Sequence, residues 1–216
     1  VWAGHRFQSR VSANTAEGSR NEIRIENGGS VSGGQGILIW SLNYDLTNSG
    51  VISGATSDKY GIAGTANVAV LFMGDTGTGY GTPVTTGVNR VINSGTISSP
   101  GTAIKAEAGN TLITNQTGGV ISGGNYAVQT GPGNDTVTVQ GGQIAGDIDL
   151  GAGTDSLTVA GEGDARLTFT LNRDTAASAR IANVETVSIA DRTTLAVQVG
   201  GNKPIRNNES FLIVDA

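Results

Sequence analysis

Along most of this chain, apolar side chains alternate with polar ones over three to five positions and then stop at Gly, Asn, Asp or Ser. Alternation of that length, ended by turn-forming residues, predicts short strands joined by tight turns. Helical spacing is nearly absent; Thr175–Arg180 is the one stretch suited to a helical turn.

The alternation repeats as a phrase: a branched apolar residue, a polar residue, Asn, and then Gly with Ile-Ser or Val-Ser. It occurs at Ile25–Ser32, Leu46–Gly54, Val91–Ser98 and Ile113–Gly123. The asparagines Asn27, Asn48, Asn93 and Asn115 are 21, 45 and 22 residues apart, and the middle interval is read as two units. A unit of about 22 residues is too small to bury its own apolar face, so units must stack. A second apolar piece follows the phrase each time, at Gly36–Trp40, Gly61–Ala63, Ala103–Ala106 and Ala127–Gln129.

An antiparallel sandwich would not return equivalent residues at constant phase. Parallel coils would, with like positions one above the next at about 4.8 Å. The expected fold is therefore all-β, a right-handed parallel β-helix of about 22 residues per coil. Nine or ten coils would make a rod roughly 45 Å long.

Stacking assigns roles. Ile52, Ile97, Ile121 and Ile144 should form an inward aliphatic column, while Asn27, Asn48, Asn93 and Asn115 should form a ladder of side-chain amides. Residues 64–89 break the phase, and Gly74–Gly81 reads as an excursion from one coil. From residue 166 glycine thins and the strands lengthen. The chain thus divides into coils over 1–165 and an atypical C-terminal capping segment over 166–216.

Composition fits this reading. Glycine is 34 of 216 residues, too many for an ordinary domain, and lacks the every-third spacing of collagen. The net charge of −5, with 13 scattered basic residues, argues against nucleic acid. With no cysteine there is no disulfide framework and no thiolate site. The chain starts without Met or a leader and is read as a segment of something longer.

Several phrases resemble the passenger domains of type V autotransporters, surface proteins delivered through the outer membrane of Gram-negative bacteria. The repeated Asn-Ser-Gly-(Val/Thr)-Ile-Ser phrase is similar to their coil repeat. Gly131–Val137 and Gly146–Leu157 resemble the last coils before their C-terminal junction. Ile181–Val187 with Thr194–Val197 resembles the junction itself, the autochaperone region. The resemblance implies an extracellular, cell-surface rod whose C-terminal part promotes folding during secretion. Its partners would be host-cell or matrix surface molecules, or other bacteria through self-association. Neither a signal peptide nor a translocating barrel is seen, so membrane insertion is not expected of this segment.

Chemistry is sparse. The single histidine, His5, offers no serine triad, and HExxH, GxSxG and phosphate-loop motifs are missing. Gly33–Gly36 reads as turn chemistry. Asp147 and Asp149, at i and i+2, share a strand face; with Trp40, Tyr44 and Tyr60 as sugar platforms they would suit the alternative of a polysaccharide-degrading or tailspike-like module. Gly131-x-Gly133-x-Asp135 and Gly151-x-Gly153-x-Asp155 match the core of the calcium nonapeptide. They lie 20 residues apart, one coil, and so would bring few oxygens to an ion that wants six to eight. They are read as an Asp-stabilised turn ladder, with calcium ligation as the alternative. No enzyme activity and no cofactor or metal is assigned.

Overall fold

In the computed structural model, residues 7–9, 20–55, 67–74, 85–160, 165–172, 180–200 and 212–215 are described, and their alternating segments form three parallel β-ladders. The first ladder stacks β2 (Asn21–Ile25), β5 (Tyr44–Asn48), β8 (Val88–Asn93), β11 (Asn110–Asn115), β13 (Thr136–Val139), β15 (Ser156–Val159) and β18 (Thr186–Ile189). The second stacks β3 (Ser30–Gly33), β6 (Val51–Gly54), β9 (Thr96–Ser99), the first halves of β12 (Val120–Gln129) and β14 (Gln143–Asp149), then β16 (Arg166–Asn172) and β19 (Thr194–Gly200). The third begins with β1 (Phe7–Ser9), β4 (Gln35–Ile39), β7 (Val68–Phe72) and β10 (Thr102–Ala106). It continues through the second halves of β12 and β14 to β17 (Ile181–Ala182) and β20 (Val214–Asp215).

All of these pairings are parallel, and each coil gives one strand to each ladder. The fold is an all-β parallel β-helix. Among the described residues there is no helix.

The core lies between the three ladders. Register places Val31, Ile52, Ile97, Ile121, Ile144 and Leu167 in one column. The four isoleucines named from the sequence are 0–1% exposed. Each such burial contributes roughly 1.5–3 kcal/mol, offset by the entropy of ordering the chain. Leu46, Val91, Ile113, Val137 and Leu157 form the matching buried column on the first ladder.

Two expectations change. The interval of 45 residues between Asn48 and Asn93 is one coil, because these residues pair directly. Its surplus length falls, in sequence, between β6 and β7 and between β7 and β8, and β7 supplies the third-ladder strand in the region expected to break phase. Gly61–Ala63, expected in that place, lies outside the described residues. The stack is correspondingly shorter. Among the described residues its longest ladder has eight rows, about 34 Å at the usual strand spacing.

The segment 166–216 extends the ladders through β16 to β20. Leu195, Val197 and Val199 of β19 stack on the buried Leu167, Phe169 and Leu171, yet remain 46–50% exposed. Among the described residues no coil lies beyond them, so this row is left uncovered.

Candidate functional site

Three arrangements of polar side chains stand out on this scaffold. The first is the amide ladder. Asn48, Asn93 and Asn115 end consecutive strands of the first ladder and are fully buried. Asn48 Nδ2 donates to Asn93 Oδ1 at 2.8 Å, and Asn93 Nδ2 donates to Asn115 Oδ1 at 2.8 Å. Asn115 Nδ2 closes the run on the carbonyls of Gly119 and Gln143, both at 3.1 Å. Buried amides are tolerated because each finds partners in the next coil. Asn27 is a correction. Ile25, not Asn27, pairs with Asn48, and Asn27 sits exposed in the turn beyond. In that coil the turn asparagine falls two positions past the ladder.

The second arrangement is the carboxylate row. Asp135 Oδ1 accepts the backbone N–H of Thr111 at 2.6 Å, and Asp155 Oδ1 accepts that of Asp135 at 2.6 Å. Glu185 Oε2 accepts the N–H of Asp155 at 2.6 Å. A parallel outer row links Asn134 N–H to Asn110 Oδ1 and Thr154 N–H to Asn134 Oδ1. Each Gly-x-Gly-x-Asp corner thus offers its Asp oxygen to the backbone of the coil before it, while Asn110 and Asn134 offer their amide oxygens to the backbone of the coil after. A Cβ on Gly153 would overlap the carbonyl oxygen of Gly133, which is why these corners need glycine to stack.

Asp135 and Asp155 are each 1% exposed, and their Oδ2 atoms have no hydrogen-bond partner. Burial pushes the Asp135 carboxyl up to about 6, opposed by the nearby Thr130 hydroxyl and then the Thr111 N–H, with the Asp155 charge adding. Burial likewise raises Asp155, and the charge of Glu185 adds to it. Among the described residues no three His, Cys, Asp or Glu side chains converge on a metal position.

The third arrangement surrounds Asp147 and Asp149. Both flank buried Ile148 and point outward, as the i, i+2 spacing implied. They are engaged with the next coil: Asp147 Oδ1 accepts the Arg180 N–H at 3.3 Å, and Asp149 Oδ1 accepts from Asn183 Nδ2 at 2.7 Å. Burial raises the Asp147 pKa, opposed by Arg180. The aromatic group does not assemble as a platform, because Tyr44 is a core residue at 1% exposure. Trp40 is on the surface, whereas Tyr60 and His5 lie outside the described residues.

Beside Asp147 lies a groove of about 510 Å³ that the sequence reading did not anticipate. It opens where β14 bends away from β16, next to Gly123-Gly124 and Gly146. Glycines interrupting an otherwise strand-like run were the available signal for that bend. No protein-family model, curated protein or solved structure matches the chain.

Proposed function

We propose that this chain is part of the surface-exposed passenger of a type V autotransporter, a non-enzymatic rod that serves as stalk and adhesin outside the cell. The observation that carries the reading is the uninterrupted parallel stacking, locked from coil to coil by buried amide and carboxylate rows. Such a scaffold adds one coil at a time, each formed coil offering a strand edge to the next. Growth of that kind suits a chain that emerges progressively through an outer membrane. In this reading residues 166–216 fold first and template the rest, and the rod meets host-cell or matrix molecules, or neighbouring bacteria.

The test is surface display. The chain, joined to a secretory leader and an outer-membrane translocating barrel, should appear on intact Gram-negative cells as a protease-resistant rod and confer adhesion to host cells or matrix, or clumping of the bacteria. Failure to reach the surface folded, or a folded rod conferring neither property, would contradict it. Activity on polysaccharides that disappears in Asp147→Asn would instead establish the alternative of a polysaccharide-degrading module.

A further inference from the structure

We propose that the fork between β14 and β16 is a binding site for an oligosaccharide. The proposal rests on the adhesin reading for its biological setting and deepens it by naming the class of partner.

The fork is built by a divergence of strands. β14 pairs with β16 only where Gln143–Ala145 face Arg166–Thr168. At Gly146, with φ of 119°, β14 turns onto the third ladder, where Ile148 and Asp149 pair with β17. A side chain at Gly146 would press on Gly123 O and Ala127 N, so the bend is closely packed against β12. β16 does not turn. It runs on to Asn172, paired with β19 along its whole length. The groove fills the angle between the limbs, with Gly146 and Asp147 on one side and Thr168, Thr170 and Gln198 on the other.

Its lining selects a ligand by elimination. Ala145 is the one apolar side chain among the described lining residues. An apolar small molecule would find little surface to bury there, and the apolar side chains of a peptide would meet only Ala145. One arginine, Arg166, beside one carboxyl, Asp147, cannot follow a phosphate backbone.

What remains is dense, mixed hydrogen bonding. The amides of Asn125, Gln143 and Gln198 each donate and accept, and so do the hydroxyls of Thr168 and Thr170. A sugar hydroxyl also donates and accepts, and so can pair with either kind of partner on such a surface. Arg166 is held in place by its Nε bond to Thr168 Oγ1 at 3.2 Å and carries further donors on its terminal nitrogens.

The experiment uses the purified 216-residue chain on an array of neutral, amino-sugar and uronic-acid oligosaccharides, followed by titration calorimetry with the best-retained sugar. The expected result is saturable binding that weakens at least tenfold in the double variant Thr170→Leu/Gln198→Ala. Thr138→Ala, on another face, should bind as the parent does. Should the double variant unfold earlier than the parent, Arg166→Ala, at an exposed position, gives the same readout. No retained oligosaccharide, capture of extended peptides instead of sugars, or sugar binding unchanged by the groove variants would overturn the proposal. Adhesion of rod-coated beads to cells separates the two readings. Adhesion that survives the groove variants removes the groove and leaves the adhesin standing, whereas beads that never adhere count against the adhesin reading itself.

Discussion

Asn48 donates from Nδ2 to Oδ1 of Asn93 at 2.8 Å, although 45 residues separate them in the chain. One coil therefore absorbs twice the usual length without leaving the ladder. The bond explains how: the amide row and the aliphatic column fix phase at the stacked positions, whatever length of chain joins them.

The middle amide should matter most. Asn93→Ala removes the partner of both Asn48 and Asn115 in a fully buried site, and should destabilise by about 2–4 kcal/mol in denaturant unfolding. Asn27→Ala, in an exposed turn, should stay within about 0.5 kcal/mol. Equal effects at the two positions would contradict the assignment of the row.

The carboxylate row should make the rod more stable in mild acid. Asp135 has a folded-state value of about 6 against the ordinary 3.8, so folding takes up a proton between those values. That stabilisation is full below pH 3.8 and is lost as pH rises through about 6. Asp155 and Asp147 are shifted in the same direction. The unfolding free energy should be higher near about pH 5 than near about pH 7.5, by at most about 1.4 kcal/mol from Asp135. Asp135→Asn keeps the acceptor for Thr111 and should flatten the profile. An unchanged slope in that variant would show that the pH dependence arises elsewhere.

Two glycines should respond differently to the same substitution. Gly28 has φ of 82° with open space around it, and Asn adopts that conformation readily, so Gly28→Asn should be nearly neutral. Gly153→Asn forces a Cβ into the Gly133 carbonyl of the preceding coil and should cost about 1–3 kcal/mol or more. Thermal unfolding of the two variants distinguishes conformational need from close approach.

Much of this was legible in the sequence where period and chemistry coincide. Ile52, Ile97, Ile121 and Ile144 recur in phase because each occupies the same point of its coil, and Asn48, Asn93 and Asn115 recur for the same reason. Asn27 recurs too, but as a turn former, a role asparagine fills equally well. Composition does not separate those two uses. Tyr44 was misplaced because an aromatic beside polar residues reads as surface, while its strand register turns it inward. The groove was hidden for a different reason. It depends on β16 running straight where β14 bends, and that contrast exists only once the two strands are side by side.

The most direct measurement compares refolding of the whole chain with two truncations from opposite ends. Removing residues 181–216 takes away β17 to β20, and removing residues 1–43 takes away β1 to β4. If the C-terminal coils template the stack, loss of 181–216 should slow refolding at least tenfold and leave the coils open to protease, while loss of 1–43 should leave the folding rate close to that of the parent. Equal folding rates for the two truncations, or a slower rate only when residues 1–43 are removed, would contradict folding from the C-terminal end and the secretion role built on it.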